Sequence, residues 1–98
     1  MVSEPLINEE NATQLSEMLK ALGHPLRLRM VAMLCVEDER VGDLAARLGV
    51  APALVSQQLR ILRMTGLVEV VREDGVGRYT LAEPRLIDMV ECMAGCRR

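Results

Sequence analysis

The residues best suited to chemistry are three thiols, Cys35, Cys92 and Cys96, the last two within VECMAGCRR at residues 90–98. An odd number of cysteines does not close a disulfide framework, and in a reducing compartment thiols are structural, metal-binding or redox-active. CMAGC has three residues between its cysteines where a thioredoxin-like motif has two. Helix neighbours four apart hold their Cβ atoms about 5–6 Å apart, and a relaxed disulfide needs about 3.5–4.5 Å, so Cys92 and Cys96 are poor partners for each other. Their shared face suits a soft ion better, with Cys35 as a third thiolate. The plainer reading of each cysteine is a small buried hydrophobe. With His24 as the single histidine, no nucleophile-base pair and no phosphate loop, the sequence reads as that of a non-enzyme with no cofactor.

A second set is polar. Ser56, Gln57, Gln58 and Arg60 fall on what reads as the polar face of one helix; glutamine pairs bidentately with adenine, and arginine with guanine or phosphate. The net charge of −2 argues against a nucleic-acid partner, but its distribution is uneven. Residues 1–45 carry four bases and eight acids, residues 46–98 eight bases and six acids, and no acid lies between Leu44 and Val68. That window holds Arg47, Arg60 and Arg63, a thin patch whose alternative is an ordinary solvated face.

The elements that must position these groups follow in quick succession, with no repeat, low-complexity tract or linker. Asn8 is placed to cap a first helix whose stripe is Ala12, Leu15, Met18, Leu19 and Leu22, stopped by Gly23. His24-Pro25 opens a second, apolar on nearly every side and therefore buried, with Cys35 near its end. Glu37 to Arg40 break the pattern. Val41 to Leu48 is a third helix with Leu44, Ala45 and Leu48 inward, ended by Gly49. A fourth runs from Pro52 to about Thr65 with Leu54, Val55, Leu59 and Leu62 inward. After Gly66 the period becomes alternating, so LVEVV and RYTL form a hairpin about Asp74-Gly75, flanked by Arg72 and Arg78. From Pro84 a last helix carries Leu86, Met89, Val90 and Met93.

Ninety-eight residues, half of them apolar, predict one domain over 1–98 with an aliphatic, methionine-rich core. The fold class is mainly α with a β-hairpin wing, five helices and two strands. The apolar stripes of the first and last helices predict a homodimer held by those helices. There is no apolar run of eighteen residues and no leader pattern, so a cytoplasmic protein with no membrane partner is expected.

The compact motif is VGDLAARLGVAPALVSQQLRIL, two short helices about a Gly-containing turn, followed by a hairpin. From Leu19 to Leu81, LKALGHPLRLRMV, VGDLAARLGV and LVSQQLRILRMTGLVEVVREDGVGRYTL together resemble the ArsR/SmtB family of winged-helix repressors, over about two thirds of the chain. The resemblance implies a homodimer that binds double-stranded operator DNA and releases it when an inducer is sensed. It implies reading by Ser56, Gln57, Gln58, Arg60 and Arg63 and wing contacts by Arg72 and Arg78. Ser56 and Gln58 stand where the family usually has serine and histidine. Ala51 stands where relatives commonly have a polar residue before the recognition helix, so backbone amides must take its place at a phosphate.

The family's sensing sites differ. The arsenic-branch cysteines fall at positions matching Arg40 and Gly42 here, and the zinc sites need histidines on the last helix; both are absent. The three cysteines look most like the branch that senses persulfides or oxidants through thiols on the second and last helices. On a helical wheel Cys96 lies about 20° from Met89 and Cys92 about 60° from it, which favours Cys35 with Cys96 as the bridge. The alternatives are an arsenite or other soft-ion site at Cys35, Cys92 and Cys96, and a DNA-binding module with inert thiols.

Overall fold

The structure is a computed structural model that describes residues 6–95. Its order is α1 (Glu9–Leu22), α2 (Pro25–Val36), α3 (Val41–Leu48), α4 (Pro52–Met64), β1 (Val68–Glu73), β2 (Val76–Leu81) and α5 (Arg85–Met93). The local signals account for the boundaries. Asn8 caps α1 reciprocally with Asn11, each side chain accepting from the other's backbone N–H at 2.9 and 2.8 Å. His24 Nδ1 accepts from the Leu26 N–H at 3.2 Å, so the lone histidine is a helix cap with Pro25 in the first turn behind it. Gly49 ends α3 with φ +69, a left-handed conformation that favours glycine.

The core joins α2, α3, α4 and the start of the hairpin. Met30, Val31, Leu44, Val55, Leu59 and Leu62 are fully buried, with Leu67 and Leu86 closing the ends. Strand β1 pairs antiparallel with β2 from Val68↔Leu81 to Glu73↔Val76. Asp74 and Gly75 both take positive φ, 52 and 77, as a two-residue turn with Asp-Gly at its centre requires.

Three features depart from the sequence reading. Leu54 is 36% exposed rather than inward: the buried arc of α4 is Val55, Gln58, Leu59 and Leu62, and Leu54 lies beyond Gln58 at its margin. The segment after α2 is tied to the wing. Glu39 and Tyr79 exchange backbone hydrogen bonds of 3.0 and 2.7 Å, and the buried Glu39 carboxylate accepts from Arg47. Finally, α5 ends at Met93, with Gly95 at φ +74; Cys96, on which the helical-wheel argument turned, lies outside the described residues.

The Cα radius of gyration is 15.1 Å, against about 13 Å for a compact chain of this length. No helix among the described residues is long and apolar enough to cross a membrane.

Candidate nucleic-acid interface and the thiols

Helix α4 is placed by α3. The Gly49 and Val50 amides both donate to the Ala45 carbonyl, at 2.9 and 3.1 Å, folding the chain back sharply before Pro52. Small, buried Ala45 lets the two helices cross closely, while Val55, Leu59 and Leu62 pin α4 to the core. Ala51, at the N-cap, makes no side-chain cap bond; Pro52 has no amide N–H, and the Leu54 and Val55 amides donate to the Ala51 carbonyl at 3.0 and 3.3 Å, which leaves the Ala53 amide for an anion.

The face of α4 opposite the core presents Ser56, Gln57, Arg60 and Arg63, all exposed. At 100° per residue Ser56, Gln57 and Arg60 fall within an arc of roughly 100°, narrow enough to enter one groove together. A groove of about 510 Å³ separates this face from the wing, and Ser56, Arg40 and Arg72 line it.

Gln58 is not on that face. It is 8% exposed, and its Oε1 accepts from Arg27 Nη1 of α2 at 2.8 Å. The placement of Gln58 among the groove-facing residues is therefore corrected: it lies about 60° from Val55, inside the buried arc. Arg27 was missed altogether. Its signal was the pair of cations Arg27 and Arg29 in a helix otherwise apolar on nearly every side, where a half-buried charge must find partners.

The basic residues differ in freedom. Arg60 and Arg63 have no acidic partner within ion-pair distance among the described residues. Arg47 is committed to Glu39. In the wing, Arg78 Nη1 lies 3.6 Å from a Glu73 carboxylate oxygen. The Arg72 guanidinium lies across Gly77, where a Cβ would come 3.4 Å from its Nη1. The patch is thus Arg60 and Arg63 on the helix and Arg72 on the wing.

The thiols occupy a different face. Cys35, half-buried on α2, places its Sγ 3.9 Å from the Leu86 carbonyl oxygen in the first turn of α5. Burial, and then the nearby Glu91 carboxylate, push this thiol's pKa above its ordinary value, so it is protonated at neutral pH. Helices α2 and α5 run antiparallel: Cys35 meets Leu86, while Leu28 and Ala32 share a groove with Val90, Met93 and Ala94. Cys92 is exposed and free, about 160° around α5 from Val90. Met89, the reference for the wheel argument, lines a groove with α1 residues Leu15, Met18 and Leu22, not with Cys35. Proximity to Met89 therefore does not bring a thiol to Cys35, and Gly95 stands at the end of α5 remote from Leu86. No group of three or more metal-ligating side chains is assembled among the described residues.

A helix-turn-helix with its second helix outward and a hairpin beside it defines a winged-helix DNA-binding protein. Residues 24–70 match the bacterial regulatory proteins of the arsR family. The biofilm growth-associated repressor of Agrobacterium fabrum is 36% identical over 85 residues, 87% of this chain and 73% of that protein. HlyU from Vibrio cholerae N16961 is similar in structure, with TM-score 0.84 and 32% identity over 92% of this chain and 100% of that one. Its reduced form gives TM-score 0.82 and 32% identity, over 90% and 93% of the two chains. The homodimeric winged helix-turn-helix DNA-binding domain Mb0332 of Mycobacterium bovis gives TM-score 0.79 and 26% identity, over 97% of this chain and 91% of that one. The chain belongs to the ArsR family and is a winged helix-turn-helix transcriptional regulator, related to regulators rather than to enzymes.

Proposed function

We propose that the protein is a homodimeric repressor that reads a palindromic operator with α4 and flanks it with the wing. The observation that carries this reading is the outward arc of Ser56, Gln57 and Arg60, bordered by Arg63 and Arg72, on a helix whose other side is fixed in the core. Dimerisation rests on α1 and α5. Leu19 is 58% and Met93 68% exposed, and the apolar groove between the two helices has a volume of about 280 Å³. A second copy of this surface would cover what the single chain leaves in water. The homodimeric state of the Mycobacterium bovis domain supports this assignment.

For the inducer we propose a thiol-reactive species, persulfide, polysulfide or another oxidant, acting through Cys35 and Cys96. Cys35 sits where α2 meets α5, so derivatising it displaces the helix that carries part of the dimer face. Closing a Cys35–Cys96 bridge removes two protons and two electrons, the electrons reducing a sulfur–sulfur bond of the polysulfide, and it requires α5 to turn or its last turn to unwind. That rearrangement would be the signal. The raised pKa and packing of Cys35 favour a second reading, an inert thiol that only fills the α2–α5 seam. Arsenite bound by Cys35, Cys92 and Cys96 is the third.

The test is retardation of the DNA upstream of the protein's own gene at low salt, with reduced and with polysulfide-treated protein. The proposal expects a discrete complex with reduced protein that is lost on treatment and retained by Cys35→Ser. No complex at any salt contradicts the repressor reading. Treatment that releases DNA equally from the Cys35→Ser variant contradicts the thiol reading alone, and release by arsenite only selects the soft-ion site.

A further inference from the structure

We propose that Arg27 and Gln58 form a half-buried strut that sets the roll of the reading helix, so that Gln58 positions base-reading side chains instead of reading a base itself. The inference rests on the DNA-binding reading above. Arg27 stands between three helices. Its Nε donates to the Ala21 carbonyl at 2.6 Å and its Nη1 to Gln58 Oε1 at 2.8 Å, joining the last turn of α1 to the middle of α4 through α2. Ala21 is in the final turn of α1, where carbonyls have no partner in their own helix and the helix dipole is negative; a guanidinium is the side chain best matched to that end. The planar fork of arginine holds both acceptors in fixed relative positions, which a flexible ammonium does not.

The close packing of Val55, Leu59 and Leu62 holds α4 against the core, but no single apolar contact is directional, so a directional contact sharpens the roll that packing alone leaves least defined. A hydrogen bond is directional. The Arg27–Gln58 bond is the side-chain hydrogen bond tying α4 to another helix among the described residues. Ser56 and Gln57 immediately precede Gln58 in sequence, so a small roll moves both reading side chains sideways across the groove floor. The strut also carries movement from α1, a proposed dimer helix, to α4. A shift in the dimer interface thereby reaches base recognition without passing through the wing.

The experiment compares wild type, Arg27→Met, Gln58→Met, the double variant and Gln58→Glu. Each binds a duplex enriched from a random library by the wild-type chain, and a random-sequence duplex of the same length. Circular dichroism and thermal melting establish the folded fraction of each variant. The strut predicts that Arg27→Met and Gln58→Met each lower the enriched-to-random affinity ratio about tenfold while random-duplex binding of the folded protein stays within twofold. It predicts that the double variant is no worse than either single one, as coupled partners require. Gln58→Glu retains an acceptor for Arg27 and should keep the ratio within about threefold of wild type, whatever its added charge does to both affinities together. If Gln58→Glu loses the ratio while Arg27→Met keeps it, Gln58 reads a base and the strut is wrong. Should Arg27→Met fail to fold, the Gln58→Met and Gln58→Glu pair decides alone: loss in the first with retention in the second supports the strut, and any other pattern overturns it. A wild-type chain that enriches no sequence overturns the DNA reading itself, and the strut's role with it.

Discussion

The α3–α4–wing half and the α1–α5 face are built on opposite principles. The first is closed: its apolar side chains meet inside one chain, its turns are set by Gly49 and Asp74-Gly75, and the polar residues of α4 other than Gln58 face outward. The second is open, with Leu19 and Met93 in water and only Leu86 of α5 buried. A chain that completes its reading head alone but leaves its terminal helices half-clothed has a surface whose stability depends on concentration. The two halves should therefore respond to substitution in different ways.

The largest effect is expected in the closed half. Leu62→Ala removes a fully buried side chain from the last turn of α4 and should cost about 2–5 kcal/mol of unfolding free energy, read by urea titration. Leu19→Glu should cost less than about 1 kcal/mol in the monomer, since the side chain already sees water. By sedimentation, however, it should convert a dimer to a monomer. Equal stability losses at the two positions would erase the distinction between the halves.

Next in size, Arg60→Ala should weaken binding to all duplexes by about 1–2 kcal/mol and reduce the slope of log affinity against log salt by about one. Arg47→Ala should leave that slope unchanged, because Arg47 is held by Glu39, and should instead loosen the wing. An unchanged slope for Arg60→Ala would remove the free arginines from the interface.

The thiols give a smaller, kinetic contrast. Alkylation of the native protein with peptide mapping should find Cys92 modified before Cys35, because Cys35 is half-buried and its pKa is raised. Raising the pH should accelerate Cys35 beyond the range in which an ordinary thiol has already ionised. Fast labelling of Cys35 at neutral pH would contradict its packing against α5.

The smallest effect lies at the start of α5. Glu83 accepts from the Arg85 side chain at 2.7 and 2.8 Å and from its backbone N–H at 3.2 Å. The Arg85 guanidinium lowers the Glu83 pKa from 4.5 to about 2. A carboxylate depressed in the folded state adds stability above its unfolded value, and that stability is lost as pH falls through the folded one. The first turn of α5 should therefore loosen between about pH 4.5 and 2, and Glu83→Gln should remove that part of the acid dependence. Hydrogen exchange at Arg85 and Leu86 measures it.

Much of this was legible from one sequence, for reasons that differ by element. The limits of α3 and α4 follow from local punctuation at Gly49 and Pro52, and the hairpin from Asp74-Gly75, because each depends only on neighbours along the chain. The strut was not legible: Arg27 and Gln58 are 31 residues apart, and neither periodicity nor composition links them. The Glu39–Tyr79 bridge was hidden because one residue pair has no period. The Cys35–Cys96 pairing itself lies outside the described residues, and the wheel lacked the frame to place it. Gly95 ends the helix the wheel assumed to continue, and Met89 faces α1 while Cys35 faces the first turn of α5. A wheel gives angles within one helix and is silent on which neighbour each side meets.

The central claim is that two copies present α4 to successive turns of one duplex. The most direct measurement is enrichment of random duplexes by the wild-type chain, followed by the mass of the complex on the enriched sequence. The account predicts a palindrome with half-sites about one helical turn apart, or a multiple of it, bound by two chains. A non-palindromic sequence held by a single chain would contradict it.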